Sequence, residues 1–337
     1  MHQHGGPEVL VLEDAPEPRV GPTDVLVGIR AVALNRIDLW VRGGLPRLRV
    51  TFPHILGADI AGVVEACGDQ VIGVQAGEEV VLSPGVSCGQ CAACAGGHDT
   101  LCDRYSILGE HVAGGYAERI AVPRVNVLPK PAGLSFEEAA ALPLTSLTAW
   151  NMLVTNGRIH RGDVVLVWGA GSGVGSVAVQ IARAHGAHVI ATAGAAWKLE
   201  RARSLGASDV INHTDQNVYE EVRRLTERRG VDIVVDHVGA ATWDTSVRLL
   251  AKGGRLVTCG ATAGPEGTTD IRYIYGRQLS IHGTWLGTKR EMQAVLQFVD
   301  AGLVRPVVHA VLPLAEAPEA HRMIERREHF GKIVLVP

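Results

Sequence analysis

The stretch Val164-Val165-Leu166-Val167-Trp168-Gly169-Ala170-Gly171-Ser172-Gly173-Val174-Gly175 constrains this chain more than any other. It is an apolar run that enters a glycine-rich turn and opens a helix. Glycine is needed where backbone must approach a pyrophosphate closely, and the N-terminus of the helix turns free N–H groups and positive dipole toward that group. The same rhythm of strand, turn and helix then repeats. Strands are predicted at 164–168, 188–192, 209–212, 232–236, 255–259 and 279–282, which fits the six strands of a dinucleotide-binding sheet. Between them, 174–185 places Val174, Val177, Ala178 and Ile181 on one helical face, while 197–205 and 218–227 read as charged amphipathic helices. This is an α/β pattern: a doubly wound parallel sheet with helices on both faces. A dinucleotide would rest on Gly171, Ser172, Gly173, Val174 and Gly175, with Gly260 at the end of a later strand. A merely structural turn is the alternative, and the strand before it, the helix after it and the βα units that follow weigh against that.

The residues up to about 143 follow a different pattern. Short β segments at 25–29, 60–64 and 79–82 are bordered by Gly or Pro and predict an irregular β domain. With 337 residues, two domains are expected. A helix at 291–301, a segment at 307–312 and a final strand at 332–336 are expected to return to the first domain. The expected division is therefore 1–145 with 285–337, and 146–284.

The formal net charge is -3 with no long run of either sign, which gives no footprint for gripping nucleic acid or an anionic membrane. A small-molecule substrate is expected. The chain lacks a basic start followed by an apolar core, and no stretch stays apolar long enough to span a bilayer, so a cytoplasmic setting is expected. In such a reducing compartment, clustered cysteines bind metal more readily than they form disulfides. Cys88-x2-Cys91-x2-Cys94-x7-Cys102 lets one loop present four thiolates tetrahedrally, as a closed structural zinc site requires. One structural zinc per chain is the expectation. An iron–sulfur cluster is the competing occupant, and the spacing departs from ferredoxin runs. Cys67 and Cys259 stand alone and read as small buried hydrophobes.

The second strand of the sheet ends at Thr192-Ala193-Gly194, where an NAD-preferring site would carry an acid for the ribose hydroxyls. Lys198 and Arg201 lie just beyond and His213 follows the third strand, so NADP(H) is expected to be preferred over NAD(H). A solvated helix face is the ordinary alternative for such cations.

Taken together, the strand-rich start, cysteine lobe, dinucleotide half and returning tail resemble the medium-chain dehydrogenase/reductase superfamily over nearly the whole chain. That resemblance implies a GroES-like first domain beside a Rossmann domain. The lobe is similar to the zinc alcohol dehydrogenase branch. The stretches 33–38, 57–59 and 139–144 with Thr148, and Ala193-Gly194 before Lys198, resemble the quinone oxidoreductase branch instead. Catalytic zinc in the first branch is held by a Cys shortly before an Asp, by His-Glu after a Gly, and by a Cys or Asp further on. The matching positions here are Asn35 before Asp38, Ala58-Asp59 after Gly57, and Leu144. Ala58 and Leu144 cannot ligate a metal and Asn35 is a poor zinc ligand, so no catalytic zinc is expected. His54, Asp59 and His111 are the polar residues from which an improvised site would have to be built.

Hydride transfer to an enone or quinone, which is already electrophilic, is the expected reaction. The resemblance gives Asn35 the orienting of the substrate oxygen, Asp38 and Trp40 the shaping of the pocket, and Thr148 a contact to the nicotinamide end. Alcohol or aldehyde oxidoreduction and a non-catalytic nicotinamide-binding protein are the alternatives. The resemblance also implies a homo-oligomer, dimer or tetramer. Family members usually carry a strand before the stretch seen here as Gly5 to Leu10, and that strand is expected to be short or missing.

Overall fold

The computed structural model describes residues 1–46 and 48–337. Its strands in chain order are β1 (Asp24–Ala33), β2 (Asp59–Cys67), β3 (Glu79–Leu82), β4 (Gly85–Val86), β5 (Ser106–Ile107), β6 (Arg119–Pro123), β7 (Val127–Pro129), β8 (Val164–Val167), β9 (His188–Ala193), β10 (Asp209–Asn212), β11 (Val231–Asp236), β12 (Leu250–Thr258), β13 (Ser280–Gly283), β14 (Val308–Pro313) and β15 (Lys332–Val336). The chain divides into two compact units. One holds Met1–Leu144, Thr288–Asp300 and Pro306–Pro337, and the other Thr145–Gly287 and Ala301–Arg305. Among the described residues no helix is long and apolar enough to cross a membrane.

The second unit is a six-stranded sheet in the order β10-β9-β8-β11-β12-β13. Every pairing in it is parallel. The order reverses between β8 and β11, the switch point at which doubly wound sheets bind ligands beyond the carboxyl ends of their strands. Its strands are apolar without alternation because helices cover both faces: Val165, Leu166, Val167, Ile233, Val234 and Val235 are all fully buried. The predicted α/β class holds. β12 begins five residues before the predicted 255, because the Gly253-Gly254 pair bends the strand without ending it.

The first unit is the irregular β domain, a seven-stranded mixed sheet along β14-β15-β1-β2-β3-β7 with β6 also on β1. β1 is its long member. One edge pairs with β2 over Val25 to Ala33, and the other is shared by β6 at Asp24 to Gly28 and β15 at Val32 and Ala33. The tail does return, with β14 and β15 running parallel. Before β1 there is a single 3-10 turn, Pro7–Val9, and no strand among the described residues.

Register places the polar residues of this unit. Ala33 pairs with Asp59 across one edge of β1 and with Val334 across the other, and Leu34 N–H donates to Ile333 O at 2.9 Å. The chain leaving β1 at Asn35 therefore passes between the first residue of β2, Asp59, and the first residue of β15, Lys332.

Candidate active site and structural metal lobe

Asn35 caps the helix Arg36–Gly43. Its backbone N–H donates to Asp38 Oδ2 at 2.7 Å, and Gly57 N–H donates to Asp38 Oδ1 at 3.1 Å. Asp38 is thus a tie between the helix start and the Gly57 turn. Burial pushes its carboxyl up to about 7, opposed by the N–H groups of Asn35 and Gly57 and by the Lys332 charge. The Asn35 side chain is engaged at both ends: Nδ2 donates to Asp59 Oδ2 at 2.8 Å and Oδ1 accepts from Lys332 Nζ at 2.5 Å. Lys332 Nζ also meets Asp59 Oδ2 at 2.8 Å, and Leu144 N–H donates to Asp59 Oδ1 at 2.7 Å. Neither partner of this ion pair reaches solvent, with side chains 4% and 0% exposed.

Behind this group runs a hydrogen-bond chain of fixed direction. Arg42 Nη1 lies 3.0 Å from His321 Nδ1, and a guanidinium only donates, so Nδ1 accepts and the ring hydrogen sits on Nε2. Nε2 then donates to the Tyr116 hydroxyl at 3.1 Å. Burial, then the charge of Arg42, pull His321 down to about 3, so the ring stays neutral. Burial and the Asp38 charge hold the Tyr116 hydroxyl well above its usual value. Tyr116 needs Gly57: a Cβ there would lie 2.5 Å from Tyr116 Cδ1, and the Gly57 φ of +99° suits glycine.

The predicted site residues fall as follows. Asn35, Asp38 and Trp40 share one cap and helix of the first unit, Asn35 and Asp38 buried and Trp40 half-buried. Thr148 is buried in the helix Pro143–Trp150 and belongs to the second unit. His54, Asp59 and His111 form no ligand group. His54 Nε2 donates to Gly109 O at 3.0 Å, His111 Nδ1 accepts from Ile107 N–H at 3.2 Å, and Asp59 is held by Lys332. Lys332 and His321 were missed by sequence reasoning; their partners lie 273 and 279 residues away.

In the second unit, Ser172 caps the helix Gly173–Ala184 by accepting Gly175 N–H at 2.9 Å. The first N–H groups of that helix have no intrahelical partner. A Cβ at Gly175 would lie 2.4 Å from Gly169 O, so the helix start presses directly on the turn and only glycine fits. This cradle suits a pyrophosphate. His237, which follows β11, reaches Ser172 Oγ at 3.1 Å. Asp236 fixes that loop: it accepts from Val238 and Gly239 N–H at 2.8 and 3.1 Å and from Thr242 and Ser246 hydroxyls at 2.8 and 2.7 Å. Gly260 faces the same loop, a Cβ there meeting His237 O at 3.2 Å. Beyond β9, a Cβ at Gly194 would meet His213 Nε2 at 3.1 Å, and Lys198 Nζ lies 5.2 Å from the Trp197 ring centroid.

The Sγ atoms of Cys88, Cys91, Cys94 and Cys102 all lie within 4.8 Å of one another. A tetrahedron with metal–sulfur bonds of about 2.3 Å has edges of about 3.8 Å; Cys88 to Cys94 measures 3.8 Å and Cys91 to Cys94 3.5 Å. N–H groups of Gln90 and Cys91 pull the Cys88 thiol down to about 5, toward the thiolate a metal needs. The residues fit zinc.

The alcohol dehydrogenase GroES-like domain family matches residues 21–132 and the zinc-binding dehydrogenase family residues 173–301. A NAD-dependent alcohol dehydrogenase of Sulfolobus acidocaldarius is 34% identical over 99% of this chain and 98% of its own. A quinone oxidoreductase of Rattus norvegicus is 30% identical over 100% and 96%. A solved NAD-dependent alcohol dehydrogenase superposes with a TM-score of 0.96 at 50% identity, covering 100% of this chain and 98% of that one. The chain belongs to the medium-chain dehydrogenase/reductase family and is an oxidoreductase.

Two outcomes follow from the geometry. Lys332→Met strands a fully buried Asp59 carboxylate and is expected to destabilise the first unit by about 3–5 kcal/mol, read by chemical denaturation. Cys102→Ser is expected to lower zinc content and thermal midpoint together, read by elemental analysis and a melting curve.

Proposed function

We propose that this enzyme transfers hydride between NADP(H) and a small activated C=C or quinone, without a catalytic zinc. The observation that carries the reading is the side-chain set at the three positions where the zinc branch places its ligands. Ala58 and Leu144 have no donor atom, and Asn35 Oδ1 faces the Lys332 ammonium. A cation already neutralises Asp59 there, so a second one meets repulsion rather than ligands. The quinone oxidoreductase among its relatives supports the choice of acceptor.

The glycine turn, Ser172 and His237 would hold the pyrophosphate end of the cofactor, with Lys198 and His213 drawing a 2′-phosphate. When bound, a reduced nicotinamide supplies a hydride at C4. Asn35 keeps a second Nδ2 hydrogen beyond the one given to Asp59, and with Oδ1 held by Lys332 that hydrogen would serve a developing enolate oxygen. Trp40 shapes the pocket beside it, and Thr148 would contact the nicotinamide. One structural zinc in the cysteine lobe completes the holoenzyme.

A second reading, oxidation of an alcohol with NAD, is favoured by the alcohol dehydrogenases among its relatives. A panel of enones, naphthoquinones and primary and secondary alcohols, run on protein with lobe zinc present and other metals stripped, separates the two. Enone or quinone reduction is expected, and Asn35→Ala is expected to lower kcat by about ten- to a thousandfold with cofactor binding intact. Alcohol oxidation that appears only with a second equivalent of zinc would favour the alternative. Direct titration is expected to give tighter binding of NADPH than NADH, with Lys198→Ala narrowing the gap; equal dissociation constants end the NADP preference.

A further inference from the structure

Glu110 is a buried acid that none of the interactions above employs. It follows Gly109, whose backbone is pressed on the Gly57 turn: a Cβ at Gly109 would lie 2.5 Å from Gly57 N and 2.8 Å from Gly57 C. The φ of +76° at Gly109 turns the chain so that Glu110 comes next to the segment carrying Ala58 and tied to Asp38. Glu110 is 5% exposed, and its Oε2 has no hydrogen-bond partner among the described residues. That oxygen faces His111 Nδ1 at 3.6 Å. Nδ1 accepts Ile107 N–H, so it carries no hydrogen to give to Glu110. Two acceptors would confront each other if Glu110 were ionised, and a proton on Oε2 relieves the clash.

We propose that Glu110 is the acid that protonates the reduced substrate, giving its Oε2 proton to the α-carbon of the enolate that hydride addition leaves. The assignment rests on the C=C-reducing activity proposed above. Hydride adds with its electron pair to the β-carbon, and the π pair moves to the carbonyl oxygen. The enolate then forms a C–H bond with the Glu110 proton, whose O–H pair stays on Oε2, and water reprotonates the carboxylate. The substrate gains one hydride and one proton, and the nicotinamide is oxidised by two electrons. Where the zinc branch of the family uses a Lewis acid, this chain would use a Brønsted acid beside the same turn.

Burial first, and the Asp38 charge second, push the Glu110 carboxyl up to about 7. The titratable groups around it are Asp38, Tyr105, His111 and His54. Burial, with the charges of Asp99 and Glu110, raises the Tyr105 hydroxyl, whose oxygen is also buried without a partner among the described residues. Burial lowers both His54 and His111, which stay neutral. The proton is therefore present below about pH 7 and lost as pH rises through it.

The test compares the zinc-loaded enzyme with Glu110→Gln and Glu110→Ala, using an α-methylated cyclic enone and NADPH. The amide variant removes only the charge and the acid, so it is expected to fold at least as well as the unmodified chain. Three results are expected. kcat falls about a hundredfold in both variants with cofactor dissociation constants unchanged. The ketone, formed with one hand by the unmodified enzyme, becomes racemic in Glu110→Ala because solvent then protonates either face. Infrared difference spectra of the unliganded protein show a protonated-carboxyl band titrating near pH 7 that Glu110→Gln diminishes. An active unmodified enzyme whose variants keep kcat within about twofold and the same product hand overturns the assignment alone. An unmodified enzyme that reduces no enone overturns the activity proposed above and the assignment with it.

Discussion

The buried pair of Asp59 and Lys332 is the constraint on which the polar cluster of the first unit depends. Taking two charges out of water costs several kcal/mol each, and the cost is offset only where geometry is close and the remaining oxygens and protons are satisfied. Both conditions are met: Asp59 accepts from Lys332, Asn35 and the Leu144 amide, and the ammonium is shared with Asn35 Oδ1. The pair also has a topological consequence. It joins the first residue of β2 to the first residue of a strand that arrives 273 residues later, so the tail must be docked before this hydrogen-bonded group exists. Local unfolding of β15 would expose an uncompensated carboxylate in an apolar setting, which couples the order of the tail to the order of the site.

Around that pair, three glycines set the spacing. Gly57, Gly109 and Gly114 approach each other so closely that a Cβ at Gly114 would lie 2.3 Å from Gly57 O, and Tyr116 packs its ring where a Gly57 side chain would project. This contact is what brings three chain segments to one point: the helix cap with Asn35 and Asp38, the turn before β2, and the loop with Glu110. Backbone contact at this distance leaves little room for relaxation, and packed interiors transmit such displacements rather than absorb them. The Arg42–His321–Tyr116 chain adds direction, since a guanidinium at one end fixes which way every hydrogen bond points.

The Rossmann half was legible almost residue by residue because its signals are local. A parallel strand buried on both faces is an uninterrupted apolar run, and each strand is followed at once by its turn and helix. The cysteine lobe was legible because its four ligands lie within fifteen residues, close enough for spacing to state geometry. Most of the first unit was not. β4 and β5 are two residues each, too short for any alternation, and β6 takes its place only by pairing with β1 about a hundred residues upstream. Lys332 opens an apolar strand, where a lysine reads as an edge residue facing water; its role is set by Asp59, and nothing in the neighbouring sequence refers to Asp59. The hydrogen bonds of Asn35 to Asp59 and Lys332 were not legible either, because a resemblance names a position and not what holds it.

The two buried carboxyls beside the Gly57 turn differ in a way that burial alone does not produce. Asp38 and Glu110 are both shielded from solvent and both pushed up to about 7 by burial, Asp38 further by the charge of Asp59 and Glu110 by that of Asp38. Asp38 spends its oxygens on two backbone N–H groups, so its ionised form is the one the surroundings recognise. Glu110 Oε2 meets no donor among the described residues, so its surroundings recognise the acid. When two such groups share a field and one proton must be given up first, it leaves the carboxyl whose anion is already hydrogen-bonded. The Asp38 anion then raises the barrier to ionising Glu110. An Asp38 anion beside Glu110 favours the protonated form of Glu110, an electrostatic arrangement suited to giving a proton rather than polarising a carbonyl.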